Sequence, residues 1–474
     1  MTIAPGMDAA AAVAAAPAGT AFVFAPGVHR IAAPIVPKDG DSFTGRPGAV
    51  LSGAAPLSGF MREGGVWVLA RAFEKPDPHG ECSKALDGSE RTACRYPEEL
   101  FLDGEPLARA EDADGVNPQT WYLDYEGARV LIGGDPTSRS VEMSLAAAAF
   151  MGAAKGVRIK GLTVEMFASK AQRGAIDGIE SDDWVVEANE VRLNHGHGIR
   201  VGPRMTVRRN FVHRNGQLGV GGAGNDILIE SNLIAGNNRA GFNREWEAGG
   251  AKFVIAHNLT VRHNCFLDND GYGLWTDIWV DDLRVEGNRV IGNAWSGIAH
   301  EIGYRAVIRG NFVAFNGARR HNWLWGAQIL IQNSRDTLVE GNTVVVGADG
   351  GDGIGLIYQR RSDGLGAPAR TLRNTVLGNV IVDLSRSGQT GGVFDFDGTT
   401  FIDGANRFDG NRYYFADPLR AAWAWGTRGL DWAEFRGAGQ ESNGMLSDDV
   451  ASALGALDDT MARDCGLPPS AAPE

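Results

Sequence analysis

Three short segments of this chain end in an acid four places after a glycine: GFNRE (Gly241–Glu245), GLWTD (Gly273–Asp277) and GIAHE (Gly297–Glu301). An apolar residue follows each glycine: Phe242, Leu274 and Ile298. If the segments are copies of one repeat, Glu245, Asp277 and Glu301 stand in file. The segment ILIQN, aligned on Ile329, adds the neutral Gln332 at its end. Crowded like charges drive carboxyl pKa values apart, so one group keeps its proton while its neighbour ionises. Glycosidic bond cleavage needs such a pair. Neighbours on adjacent strands would lie about 5 Å apart and alternate ones about 10 Å apart. Retaining glycosidases hold their carboxyls about 5–5.5 Å apart and inverting ones about 6.5–9.5 Å. Asp277 and Glu301 are the expected acid/base pair. Glu245 would tune them or hold the substrate.

The surroundings are polar and aromatic. Thr276 and His300 precede two of the acids. Arg244, Glu247 and Lys252 flank the third, and Tyr304 and Arg305 follow the last. Six of the chain's 12 tryptophans fall at 246, 275, 279, 295, 323 and 325. An indole face with a polar edge matches the apolar face of a pyranose. The expected substrate-binding set is Trp246, Trp275, Trp279, His300, Arg305, Trp323, Trp325 and Gln332. The bland alternative is a solvated acidic stripe. Glu187, Glu230, Glu286 and Glu340 also recur, as plain surface acids would. His300 could simply bond a turn carbonyl. Trp184 and Trp432, outside the cluster, read as core.

The elements that must position these residues form a repeat. VVEAN, TVRRN, LIESN, TVRHN, RVEGN, VIRGN and LVEGN end at Asn189, Asn210, Asn232, Asn264, Asn288, Asn311 and Asn342. A second Asn follows five residues after each of the first six. The intervals are 21, 22, 32, 24, 23 and 31 residues. A gapped period of about 22 fits one coil of a parallel β-solenoid, with stacked Asn side chains satisfying one another at the turns. Val, Ile and Phe in alternation argue against leucine-rich repeats. The two long intervals hold REWEAGGAKFVIAHN and GARRHNWLWGAQ. Solenoid insertions sit on one face and often build the binding site, and these two bracket the acids. A third excursion, 359–371, is rich in Arg and Gly.

The V-x-x-N-x-V-x-x-N…G-I pattern over about residues 155–400 resembles the right-handed parallel β-helix repeat proteins of the pectin-lyase-like superfamily. The β segment ahead of the repeats and NRYYF…LDWAEF in the tail look like bacterial β-helix glycan-processing proteins, and WEAGGAKF, GLWTDI and GIAHEI together resemble a group of bacterial proteins described by their repeats. The resemblance implies a carbohydrate-active enzyme, and the acid file favours a glycoside hydrolase. A second resemblance competes. Glu245-x-Glu247, then Lys252, is similar to the Glu-x-Glu-(x)4-Lys motif of β-helix alginate lyases and chondroitinase B. It implies Glu245 and Glu247 as Ca2+ ligands and Lys252 as the base of a polysaccharide lyase. That family has an Arg in the next coil, where this chain reads GYGLWTD. A non-catalytic glycan-binding or adhesion solenoid is the third reading. The hydrolase reading requires no cofactor.

The rest of the chain fits an all-β protein. Glycine is abundant, 65 of 474 residues, with no collagen period, as many tight turns require. A net charge of −13 and no basic stripe disfavour nucleic acid. No apolar run approaches the roughly 20 residues of a membrane span. The expected architecture is a single-stranded right-handed parallel β-helix. It has a cap helix and first coils over 1–59, a small inserted antiparallel β domain over 60–148, the site-bearing repeats over 149–404, and a capping segment over 405–474. Ala9–Ala16 reads as a helix rather than a signal peptide, and a secreted or periplasmic location is expected. Cys82 and Cys94 share one polar loop, where a local disulfide forms if the protein is exported. Cys265, in a strand pattern, reads as a buried thiol.

Overall fold

The structure is a computed structural model and describes residues 1–318, 323–457 and 465. The chain divides into two compact units. The first comprises residues 1–200, 212–220 and 237–248, and the second residues 201–211, 221–236 and 249–474. Four residues of the second long insertion, 319–322, and positions 458–464 and 466–474 of the terminal segment lie outside the described residues.

The first unit opens with a helix, Ala9–Ala15, whose N-cap Asp8 accepts a 3.0 Å bond from the Ala11 amide. Its coils then stack in parallel. Ala21–Phe24 pairs with Ser42–Gly45, which pairs with Arg158–Lys160. Gly27–Arg30, Ala49–Ser52, Thr163–Glu165 and Glu190–Arg192 form a second face. Because Ala49–Ser52 lies directly against Thr163–Glu165, and Phe150–Met151 and Arg158–Lys160 pair in parallel within the coils, the chain from about 54 to 148 is an excursion. It is antiparallel: Met61–Glu63, Val66–Ala70, Arg129–Ile132 and Thr120–Asp124 form one sheet. Leu100–Leu102 and Val141–Ser144 belong to another. Leu100, Trp121, Leu123, Val130, Ile132 and Met143 give this excursion its own core. The Cys82–Cys94 disulfide is formed.

The second unit is built from longer coils. Val261, Val285, Ile308, Val339 and Val376 occupy one register position in five successive coils, all fully buried. β-branched side chains stacked at strand spacing bury their apolar area without voids. The asparagine ladders run as the repeat implies. Asn232 donates to Asn264, Asn264 to Asn288, Asn288 to Asn311 and Asn311 to Asn342, at 2.9–3.0 Å. A parallel ladder joins Asn269, Asn293 and Asn316 at 2.8–2.9 Å and ends on Gln328. These amides also bond turn carbonyls, such as Ile229 O and Val261 O, so the buried turns keep no orphan groups there.

Two expectations are corrected. The coils do not stop near 404. Asn342 donates to Asn379 and Asn379 to Asn411, and Val380–Asp383, Arg412–Phe415 and Met445–Ser447 continue one sheet. Cys265 is no free thiol; it is bonded to Cys465, 200 residues on. A strand-face cysteine says nothing of a partner that distant. The terminal patterns do form short helices, Trp432–Gly437 with a capping box and Val450–Gly455.

Candidate active site

Register decides which acids meet. Leu274 pairs with Ile298 and Thr276 with His300; Glu301 then pairs with Gln332. Asp277, Glu301 and Gln332 therefore stand in one outward file. Their neighbours Thr276 and His300 point the other way, into the solenoid. In the preceding coil Ala251 faces Leu274 and Val254 faces Asp277. Glu245 is not in the file.

The glycines show why. A Cβ on Gly273 would sit 2.9 Å from the Asn293 amide and 2.5 Å from Val290; one on Gly297 would meet Asn316 and Val313 as closely. The bend at the start of each segment lies against the ladder and admits no side chain. The equivalent glycine one coil earlier is Gly250, 3.0 Å from Asn269. Gly241 has open space around it. The insertion carries a matching but accidental G-x-x-x-E nine residues upstream of the true copy, which ends in Val254.

Two cations converge on the file. Lys252, on Gly249–His257, places Nζ 3.1 Å from Asp277 Oδ2 and 3.5 Å from the centroid of the Trp275 ring. Trp275 Nε1 donates to Glu301 Oε2 at 3.2 Å. Arg361, on the hairpin formed by Arg361–Ser362 and Pro368–Ala369, reaches Glu301 Oε1 at 2.8 Å. Gln332 donates to Gln359 at 3.0 Å. Asp277 and Glu301 are each only 6% exposed. Burial, and then the Asp277 charge, push the Glu301 carboxyl up to about 7 against the pull of Arg361 and Lys252. Asp277 Oδ1 is buried and finds no hydrogen-bond partner among the described residues.

An aromatic wall adjoins the pair. Tyr272, Trp275, Ala299, Leu324 and Leu330 pack together, with half-buried Trp295, Trp323 and Trp325 against them. Trp323 and Trp325 lie 5.8 Å apart, and Tyr272 lies 5.4 Å from Trp295. Trp275, Trp323, Trp325 and Gln332 are thus gathered with Asp277 and Glu301.

Other expected residues are elsewhere. His300 is fully buried. Its Nδ1 is 2.9 Å from Thr276 Oγ1, its ring fills the space a Cβ at Gly303 would need, and burial lowers it to about 3. It is a neutral core residue. Arg305 is committed to Asp281 and Asp282. Trp279 sits at a left-handed bulge, φ 61°, outside the aromatic cluster. Trp246 packs with Phe242, Cys94 and Ala248 in the first unit. Glu245 is exposed in a turn. Glu247 accepts from Gln172 Nε2 at 2.7 Å and lies 3.1 Å from His197 Nε2. The group of three metal-binding side chains found among the described residues, His257, Asp281 and Asp282, does not include them. Arg361 was not expected; its only sequence signal was the Arg- and Gly-rich excursion that carries it.

Residues 174–318 match the family model described as the right handed beta helix region. No curated protein matches the chain. Among solved structures, XylC in its complex with xylose aligns over 94% of this chain and 83% of that one, with a TM-score of 0.66 and 14% identity. The A-module of the Azotobacter vinelandii mannuronan C-5 epimerase AlgE6 aligns over 92% and 93%, with a TM-score of 0.50 and 12% identity. The chain has the right-handed parallel β-helix fold. Among its described residues no helix is long and apolar enough to cross a membrane.

Proposed function

We propose that the chain is a glycoside hydrolase acting on a poly- or oligosaccharide, with Asp277 and Glu301 as its paired carboxylates. The observation that carries this reading is the different electrostatic setting of two equally buried neighbours. Asp277 faces the Lys252 ammonium. Glu301 is pushed up to about 7 and holds a proton below that pH. A protonated carboxyl beside one that faces an ammonium supplies a general acid and a nucleophile. Adjacent strands set them about 5 Å apart, the retaining rather than the inverting spacing. Asp277 attacks the anomeric carbon through its unpartnered Oδ1, while Glu301 protonates the leaving oxygen. Glu301 then takes a proton from the water that releases the sugar from Asp277. The exposed Arg361 contact opens as substrate enters. Trp323 and Trp325 offer their faces to the sugar ring.

The fold of XylC, whose structure holds xylose, supports a carbohydrate substrate. Two disulfides, Cys82–Cys94 and Cys265–Cys465, support an oxidising, secreted or periplasmic setting. The calcium-lyase alternative would use Lys252 as base, and Lys252 is paired with Asp277; no step is routed through a metal. Incubation with a polysaccharide panel separates the readings. New reducing ends, lost in Asp277→Asn and Glu301→Gln, are expected. An unsaturated product that absorbs in the near ultraviolet and disappears with EDTA would establish the lyase. Glycan binding with neither product, unchanged in both variants, would leave an adhesion solenoid.

A further inference from the structure

The first unit holds a cavity of about 690 Å³, inside the range of roughly 300–1,000 Å³ typical of ligand pockets. One wall is apolar: Phe73, Leu145 and Met151, with Leu145 39% exposed. Lys170, Arg173 and Asp177 also line the cavity. Asp177 is almost fully buried, and its Oδ2 takes both Arg173 Nε at 2.7 Å and the Gly174 amide at 3.0 Å. On the next coil Arg200 stands beside Asp177 in register. Arg200 Nε and Nη1 are buried with no hydrogen-bond partner among the described residues. Three residues earlier on that strand, behind the cavity lining, His197 is fully buried with Nε2 3.1 Å from Glu247.

The cavity's chemistry narrows what could occupy it. The lining acids Glu74, Glu98, Asp177 and Glu180 outnumber Lys170 and Arg173, which disfavours a polyanion. A lining that mixes donors and acceptors with apolar side chains matches a pyranose, whose hydroxyls both donate and accept and whose ring face is apolar. We propose that this cavity is a binding site for neutral oligosaccharide, built entirely from residues of the first unit. It binds rather than cleaves, and it stands independently of the acid pair.

Calorimetry on the full chain tests it. Xylo-, manno- and cello-hexasaccharides and hexagalacturonate are titrated into the Glu301→Gln variant, which removes turnover. At least one neutral hexasaccharide is expected to bind, and more tightly than hexagalacturonate. Adding Arg173→Met is expected to weaken that binding about tenfold, as loss of one charged hydrogen bond does. Phe73→Ala and the exposed Lys170→Ser should also weaken it. In the otherwise native chain, Arg173→Met should leave turnover of short aryl glycosides unchanged. The proposal is overturned if no neutral hexasaccharide binds, if the uronate binds more tightly than all of them, or if the three substitutions leave binding as it was. Absence of turnover in the native chain would remove the hydrolase reading and leave this test intact.

Discussion

Glu99 in the first unit and Glu301 in the second are each 6% exposed, yet they are held in opposite states. Glu99 Oε1 lies 2.8 Å from His195 Nδ1, and its Oε2 lies 3.0 Å from Arg239. The Arg239 charge and the His195 bond overcome the cost of burial and hold the carboxyl at about 2. Glu301 has Arg361 and the Trp275 indole, but it also has Asp277 beside it, and burial wins. Burial alone therefore does not mark a functional carboxylate. Glu99 ties Leu100–Leu102 of the antiparallel excursion to the coil bearing His195, and all its bonding capacity is used. Glu301 is a buried carboxyl whose ionisation its surroundings disfavour.

The comparison breaks most visibly in activity. Glu301→Gln and Asp277→Asn should each cut kcat by at least about 10²–10⁴, the usual worth of a catalytic acid or base, read as reducing ends released. Glu99→Gln should leave kcat of the folded protein unchanged. It should instead cost about 3–5 kcal/mol of stability in denaturant unfolding, because Arg239 and His195 lose their buried counter-charge.

Stability should respond to pH with opposite signs at the two sites. Glu99 is depressed from 4.5 to about 2, so its contribution is complete above 4.5 and is lost as pH falls towards 2. Glu301 is raised from 4.5 to about 7, so the folded state binds the extra proton between those values, and stability falls as pH rises through that window. Glu301→Gln should therefore raise Tm above pH 7, measured by calorimetric scans, while Glu99→Gln lowers it at the same pH. Smaller effects belong to the periphery of the site. Trp323→Ala and Trp325→Ala should each raise KM about two- to tenfold, the worth of an aromatic contact, with little change in kcat. Arg361→Met removes a charge that lowers Glu301 and should move the alkaline limb of the pH–rate profile upward.

Much of this was legible in the sequence. The Asn spacing is imposed by side chains that must bond one another across coils, so it survives as a pattern and sets the register of Asp277, Glu301 and Gln332. The error at Glu245 arose where the insertion repeated the motif by chance; only contact with the ladder distinguishes Gly250 from Gly241. His300 was misplaced for a related reason. Alternation puts it inward, next to an outward acid, and a histidine beside a carboxylate looks functional whichever way it points. Arg361 and the Cys265–Cys465 bond depend on chain segments far away in sequence, and no local pattern encodes such meetings. Trp246 belonged to a core that only the antiparallel excursion creates.

The most direct test of the central claim is the pH dependence of kcat/KM on a neutral aryl glycoside, measured for the native chain beside Glu301→Gln. The account predicts a native profile that falls above about pH 7 as Glu301 loses its proton, and a residual rate in the variant that no longer falls there. A variant that keeps the same alkaline limb would show that another group is the acid and would contradict the assignment.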